Sequence, residues 1–391
     1  MPRTAKTVLS SSGIVEATIT GPQWPRKEYP YFMQQQPRVP VVSIDGTPLM
    51  PTTPGNARKM LRDGLARPRR NKLGLFYIQM IRPVGAITQP MFLALDQGGK
   101  YEGVAVASHL SIELTGQTNL PTGIPKKTKT RYRLRHARRH RICPRRPARF
   151  NNRRHSGKYW LAPTQLAKVD TRLKVIRELC RIYPIETIFV EDVRHKPSGK
   201  KDRHFSMAEV GKKRTYAELS KLAPTIQILA KDTALWRSQF GLTKLTGINR
   251  PQVFESQAVD AVAILMGRIS CILGNPPFYV WTALRFSRRS LHRQSPKRGG
   301  VRPNFGGTTN GGFYRKGDWV QAGRAGVMYY GWVCGLPTGT TNLVGVCDAD
   351  GNRIGQFSPK KVTLLARSTG FTWKDGAALL PTAEAGGFRA G

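Results

Sequence analysis

The sequence predicts an α/β protein with a strongly basic surface, on three observations. Short apolar runs, two of which end in a carboxylate, alternate with segments of helical spacing. Apolar residues make up 39% of the 391-residue chain, which is enough to bury a core. Lys and Arg number 64 against 23 Asp and Glu, so the formal net charge is +41. Such a charge resists compaction unless a polyanion neutralises it, and nucleic acid is the expected partner.

The N-terminal part is expected to form a small unit behind a loose arm. Residues 1–38 are polar and rich in Pro and Gln, which is typical of a poorly ordered segment. Residues 41–44 have the composition of a short strand, followed by an Asp-Gly turn, and the two prolines in 48–51 are expected to end that strand. Residues 56–65 have helical spacing with Gly64 near the end.

The middle of the chain carries the pattern on which the α/β prediction depends. Residues 92–96 and 103–107 are predicted to be adjacent buried strands, and residues 188–190 a third strand. An apolar stripe from Leu166 to Cys180 predicts a helix. Residues 194–214 are interpreted as a loop, residues 216–240 as mostly helical around Pro224, and residues 255–266 as a further helix.

Three acidic residues stand out: Asp96, Glu191 and Asp260. The first two end apolar strands and the third lies inside an apolar helix. A single acid at a strand end is usually a turn residue, but an unpaired carboxylate buried in a helix costs several kcal/mol. If the three converge, a pair of divalent metals is the natural counter-charge, and two Mg²⁺ ions about 4 Å apart suit phosphodiester hydrolysis. The order strand–Asp, strand, helix, strand–Glu, helix–Asp is that of an RNase H-like nuclease.

Two segments are basic without any acid. Residues 126–154 hold 14 Lys or Arg, several at helical spacing, and residues 284–312 form a second basic tract. A solvated face usually mixes both signs, so these runs indicate phosphate contact with RNA or DNA. After residue 313, short strand signals separated by Gly-containing turns predict a small β-barrel-like domain.

The five cysteines are widely spaced, with no zinc-type pairing. They are interpreted as reduced thiols in a reducing compartment. No stretch qualifies as a membrane span, so a cytoplasmic protein without membrane partners is the expectation.

Taken in order, these features resemble the IscB-like proteins, a family of transposon-encoded, RNA-guided nucleases. The resemblance depends on the sequence at 48–51, the Asp96 strand, the arginine-rich segment, the strand ending at Glu191 and the Asp260-Ala261 pair, and it spans roughly residues 40 to 370. In the family the RuvC-type (RNase H-like) nuclease core is split in three. The resemblance implies a flexible arm (1–38), a PLMP domain (39–88), RuvC part I (89–125), an arginine-rich bridge helix (126–156), RuvC part II with a linker (157–214), RuvC part III (215–283), a basic linker (284–312) and a C-terminal β-rich domain that engages the target-adjacent motif (313–391).

The same resemblance assigns roles to residues. Asp96, Glu191 and Asp260 are implied to be the catalytic and metal-binding acids, holding two Mg²⁺ ions with Mn²⁺ as a substitute. The implied RNA-binding residues of the bridge helix are Arg131, Arg133, Arg135, Arg138, Arg139, Arg141, Arg145 and Arg146. Further nucleic-acid contact is expected from Arg288, Arg289 and Arg293.

One absence narrows the resemblance. Between Glu191 and Asp260 the chain is too short, and too poor in ligands, for the HNH nuclease module of IscB, so the sequence is similar to the HNH-lacking IsrB group. This implies a nickase that cuts the displaced non-target strand of double-stranded DNA, as a monomer in a ribonucleoprotein with a guide called omega RNA. The setting would be the prokaryotic cytoplasm, with the nucleoid when DNA is bound. One departure is Gln257, which stands where relatives often place a His.

Two alternatives remain open from the sequence. One is an RNase H-like endonuclease that acts without a guide, and the other is a non-catalytic RNA-binding protein. The arginine-rich segment argues against the first, because a simple resolvase needs no such element.

Overall fold

The computed structural model describes residues 37–123, 161–193, 207–247, 251–284, 290–292, 304–306, 313–336, 343–367 and 369–375, with six positions between 126 and 136. The helices are α1 (Pro54–Arg62), α2 (Pro163–Cys180), α3 (Met207–Leu219), α4 (Ala230–Gln239) and α5 (Phe254–Ile269). The strands are β1 (Val39–Val42), β2 (Pro48–Thr52), β3 (Ala66–Arg70), β4 (Phe76–Met80), β5 (Met91–Asp96), β6 (Tyr101–Ala107), β7 (Ile112–Asn119), β8 (Ile185–Asp192), β9 (Thr225–Leu229), β10 (Phe278–Ala283), β11 (Ser290–His292), β12 (Asn304–Gly306), β13 (Trp319–Arg324), β14 (Val327–Gly335), β15 (Val344–Cys347), β16 (Arg353–Phe357), β17 (Val362–Ala366) and β18 (Phe371–Asp375). The mixed α/β architecture predicted from the sequence is confirmed.

The N-terminal sheet has the strand order β2-β1-β4-β3. Its small core joins Val41, Leu49 and Ile78 to Ala57 of α1. The prolines at 48 and 51 were expected to end a strand, but they lie inside β2 itself. The expectation was wrong because β2 is an edge strand, where a residue that cannot donate a hydrogen bond is tolerated. The turn at Asp45-Gly46 and the helix that follows β2 agree with the sequence prediction.

The central sheet has seven strands in the order β18-β10-β7-β6-β5-β8-β9. Strands β5, β6 and β7 form an antiparallel meander. On the other side of β5, strands β8 and β9 run parallel to it. The carboxyl ends of β5 and β8 therefore meet at the same edge of the sheet.

Helices cover both faces of this sheet. Leu93 and Leu95 of β5 pack in one cluster with α2, whereas Ala94 between them packs in the other cluster with α5. Side chains that alternate along a strand point to opposite faces, so β5 must be apolar on both sides. This explains why its sequence is a continuous apolar run rather than an alternating one.

Two stretches of the middle region differ from the sequence prediction. Residues 207–214, expected to be a loop, belong to α3. Residues 225–229, expected to be helical, form β9, the edge strand beside β8. A short apolar run next to a proline does not distinguish strand from helix by periodicity, and pairing with β8 decides the outcome.

The C-terminal sheet is antiparallel, with the order β16-β15-β14-β13-β17. Val320, Val333 and Val346 are central in its core. The last described strand, β18, follows β17 in the chain but belongs to the central sheet, where it pairs with β10. None of the helices in the described parts of the chain combines the length and the hydrophobicity that a membrane span needs.

The expectation that all the cysteines are reduced thiols was wrong for one pair. Cys334 and Cys347 form a disulfide between the neighbouring strands β14 and β15, whereas Cys180 and Cys271 are free. Thirteen positions separate the bonded pair in the chain, and only the pairing of the two strands brings them together.

Candidate active site

Three elements place the acids singled out from the sequence at one point. In the parallel pair β5 and β8, Leu95 lies opposite Val190, so Asp96 and Glu191 follow side by side at the carboxyl edge of the sheet. Helix α5 packs across this part of the sheet with Ala258 and Val262 in the apolar cluster, and Asp260 lies between them in sequence. The adjoining acid of β8, Asp192, is engaged by Lys212 at 2.9 Å and by the hydroxyl of Tyr216 at 3.0 Å.

The structure brings Asp96, Glu191 and Asp260 together. One carboxylate oxygen from each lies within 4.8 Å of the others, and all three residues are buried, with exposed fractions of 7%, 7% and 1%. This is the one cluster of three or more such ligand residues in the part of the chain that the structure describes. The convergence depends on contacts between residues up to 164 positions apart in the numbering, from Asp96 to Asp260.

Packing between α5 and β6 is close enough to require a glycine. Gly103, which lies opposite Asp96 in the β5–β6 ladder, faces the backbone of α5. A Cβ at Gly103 would lie 1.9 Å from the carbonyl oxygen of Gln257. The absent side chain therefore lets α5 approach near the position where Asp260 must reach the other two acids.

The electrostatics of the cluster favour a bound cation. Burial raises the pKa of Asp96 well above its usual value, and the charge and hydrogen bond of Glu191, together with the charge of Asp260, raise it further. The positive charge of Lys244 opposes this effect. Carboxylates this close cannot all ionise without a proton or a cation between them.

Two cations contact Asp260 that the sequence analysis did not single out. Arg237 of α4 donates from Nη1 to Oδ1 of Asp260 at 2.5 Å, and Lys244 donates from Nζ to Oδ2. Both oxygens of this carboxylate thus have a positively charged partner. With 64 Lys and Arg in the chain, no sequence signal distinguishes these two.

Gln257 lies one helical turn before Asp260, so the two share a face of α5. Its side chain is 3% exposed, and its Nε2 has no hydrogen-bond partner among the described residues. The same holds for Nε2 of Gln97, the residue after Asp96. An amide can donate a hydrogen bond but cannot act as a general base, so Gln257 can bind or orient an oxygen without removing its proton.

The ligand set fits a hard divalent cation. Three carboxylates supply oxygen ligands, which suit Mg²⁺ and Mn²⁺ and do not suit the softer metals that prefer thiolate. The buried location lowers the local dielectric and strengthens every charge interaction in the cluster. Chemically, the arrangement can hold a divalent ion beside a phosphate.

Of the residues expected to bind RNA, one falls within the described chain. The positions described between 126 and 136, which include Arg133, are helical and exposed. The others lie outside the described residues, namely Arg131, Arg135, Arg138, Arg139, Arg141, Arg145, Arg146, Arg288, Arg289 and Arg293. The expected arm, residues 1–38, also lies outside them except for its last two positions.

Comparison with known proteins supports a nuclease context. Residues 39–206 match the family model described as RRXRR protein, which covers less than half of the chain. The RRXRR domain is found in IscB/IsrB-type proteins and is associated with RNA-guided nuclease-like proteins. No curated protein matches the chain.

Proposed function

We propose that this protein is an omega-RNA-guided DNA nickase of the IsrB type, in which Asp96, Glu191 and Asp260 form a RuvC nuclease centre. The convergence of the three buried carboxylates is the observation that carries the proposal. The strand arrangement supports it, since an antiparallel meander β5-β6-β7 extended by the parallel strands β8 and β9 is the order expected of an RNase H-like core. The RRXRR match supports a nuclease of the RNA-guided kind.

The acids of the centre would hold Mg²⁺, with Mn²⁺ as a substitute. A bound divalent ion supplies an activated water and stabilises charge on the phosphate. Asp96 and Glu191 present their oxygens from the rigid edge of the sheet, and Asp260 presents its own from α5. Gln257 donates a hydrogen bond to a substrate or water oxygen, since its buried Nε2 has no partner among the described residues, and as an amide it does not accept the proton.

The cationic helix accounts for binding of the guide RNA, and the single proposed nuclease centre accounts for cutting of one DNA strand. The exposed cationic helix around Arg133 holds the RNA backbone, and base pairing reads the target sequence. A single nuclease centre cuts one strand, which we assign as the displaced non-target strand. The C-terminal sheet engages the target-adjacent motif.

The test is to sequence the RNA that copurifies with the full-length protein and to offer a supercoiled plasmid carrying the matching target. We expect one defined RNA species and conversion of the matched plasmid to the open circle, dependent on Mg²⁺. Loss of a residue that only orients a metal ligand already costs about 10- to 100-fold, so Asp96→Ala should reduce nicking by at least about 100-fold while DNA binding persists.

Asp170→Ala is the matched control, because Asp170 is an exposed acid on α2. It should nick like the wild type. Random RNA fragments with nicking of unmatched plasmids would favour a guide-independent endonuclease. A defined RNA with no nicking under any divalent ion would favour a non-catalytic RNA-binding protein.

A further inference from the structure

Lys244 is built into the carboxylate cluster rather than lying loosely beside it. Its side chain is 25% exposed and that of Asp260 is 2% exposed, so the ion pair is largely shielded from water. Two contacts fix the segment that carries Lys244. Leu242 packs against the apolar cluster under α5, and the backbone N–H of Leu245 donates to the carbonyl of Glu255 at 3.0 Å.

The second cation is fixed by the packing of α4 on α5. Trp236 lies against Gly267, where an added Cβ would be 2.2 Å from the indole ring, and the guanidinium carbon of Arg268 lies over that ring, 5.5 Å from its centroid. Because Trp236 is anchored in this way, the next residue, Arg237, is held with its guanidinium on Asp260. Both cations are therefore positioned by the fold.

Lys244 places a positive charge directly on one of the three clustered acids. Its Nζ donates to Oδ2 of Asp260, and that residue has a carboxylate oxygen within 4.8 Å of oxygens of Asp96 and Glu191. The ammonium group therefore engages an oxygen that a second divalent ion would need as a ligand. Lysine suits this role because its charge is compact and its stem is flexible.

The two cationic side chains reduce by one the number of divalent ions needed to balance the three carboxylates. When ionised, the acids carry three negative charges, and two divalent ions would leave one positive charge. Arg237 and Lys244 together carry two positive charges, which is the charge of one divalent ion. One divalent ion with these two side chains gives the same net charge as two ions without them.

On the basis of the nuclease centre proposed above, we infer that Lys244, supported by Arg237, replaces one of the two expected divalent ions, so that the cluster binds a single Mg²⁺ or Mn²⁺. Asp96 and Glu191 are the principal ligands of that ion, since both oxygens of Asp260 have cationic partners. Lys244 is a positioning residue, which acts through Asp260 and sets how many ions the centre holds.

The inference is tested by counting the ions that the full-length protein binds after removal of nucleic acid. Electron paramagnetic resonance and calorimetry with Mn²⁺ give the number of ions without relying on activity. The wild type and Lys244→Arg should bind one Mn²⁺. Lys244→Met, which keeps an unbranched side chain one atom shorter and removes its charge, should bind two, with the affinity for the second raised roughly tenfold or more.

Lys231→Met is the matched control, because Lys231 is an exposed lysine of α4. It should bind one ion, like the wild type. Two ions in the wild type, or a single ion of unchanged affinity in a folded Lys244→Met, would overturn the inference and leave the proposed nuclease centre intact. If Lys244→Met fails to fold, the wild-type count still decides. Failure of every variant, including the wild type, to bind an ion would contradict the proposed function itself.

Discussion

At the scale of single residues, the cluster depends on a missing side chain as much as on the acids present. Gly103 lets the backbone of α5 approach β6, and its own backbone pairs with Asp96. A larger residue would push α5 outward and move Asp260 away from Asp96 and Glu191. The geometry of the site is thus set by backbone contact, which no side-chain motif reveals.

We predict that Gly103→Ala lowers the free energy of unfolding by about 1–3 kcal/mol, the usual cost of overpacking a core. Chemical denaturation followed by tryptophan fluorescence measures this. Gly55→Ala is the control, because Gly55 lies in α1 with nothing within 4 Å of an added Cβ. It should stabilise by about 0.5–1 kcal/mol through helix propensity. Equal effects of the two substitutions would refute the packing argument.

Glu102 gives a second residue-level prediction, on pH. The residue is fully buried and pairs with Arg172 through Oε1, at 2.8 Å from Nε, while its Oε2 has no hydrogen-bond partner in the described part of the chain. Burial raises its pKa above the usual value of 4.5, although Arg172 opposes this. The unfolded chain therefore ionises Glu102 at lower pH than the folded one does.

Stability contributed by Glu102 is consequently complete below about pH 4.5 and falls as the pH rises through the folded-state pKa. Glu102→Gln should remove this component, so its cost in free energy of unfolding should shrink from pH 4.5 upward. Glu218→Gln is the comparison, since the hydrogen bond and charge of Lys221 lower the pKa of the half-buried Glu218 and give a contribution of the opposite sign. Parallel pH profiles for the two variants would contradict this account.

The acids of the site could be predicted from the sequence, whereas their partners could not. Asp96, Glu191 and Asp260 are conspicuous because the chain has few acids and these lie in apolar runs. Arg237 and Lys244 are two of many cations, and only tertiary packing selects them. Gly103 carries no chemical signal in the sequence at all.

At the scale of elements, the strands that carry the first two acids and the helices with an apolar stripe were predictable, whereas several strands were not, among them the buried β7 and the edge strands β2 and β9. β5, β6 and β8 each contain a continuous apolar run, at residues 92–95, 103–107 and 188–190, because both of their faces are covered there. β2 contains prolines and β9 follows one, features that local rules assign to breaks in structure. Their strand conformation comes from pairing with neighbours, a long-range effect that local composition does not encode.

The Cys334–Cys347 disulfide gives a prediction at this scale. It closes a loop of about a dozen residues between β14 and β15, for which loop entropy predicts a contribution of about 2–4 kcal/mol. The free energy of unfolding of the wild type, measured with urea, should fall by this amount when a reductant is added. Cys334→Ala should resemble the reduced wild type and should not respond to reductant. If reductant leaves the free energy of unfolding of the wild type unchanged, the contribution assigned to the disulfide is wrong.

At the scale of the whole molecule, the net charge of +41 is the dominant property. Like charges repel one another throughout the chain, so the protein alone is less stable than its core would allow. A bound polyanion removes this repulsion and releases its counterions. The RNA is thus expected to act as a structural partner as well as a guide.

We predict opposite responses to salt for the free protein and for its complex. Between about 50 and 200 mM salt, RNA affinity should fall by roughly 10³-fold or more, as expected when six or more phosphates are contacted. The melting temperature of the protein without RNA should rise over the same range, because salt screens the repulsion. Binding titrations and thermal melts measure both, with sucrose as the uncharged control. A free protein destabilised by salt would contradict the role assigned to charge.

Anomalous X-ray diffraction from crystals containing Mn²⁺ would decide whether the cluster is a metal centre at all. We expect a strong peak about 2.0–2.2 Å from carboxylate oxygens of Asp96 and Glu191, and its loss in Asp96→Asn. An otherwise well-ordered site with no peak at these oxygens, under Mn²⁺ concentrations that saturate other nucleases, would contradict this expectation.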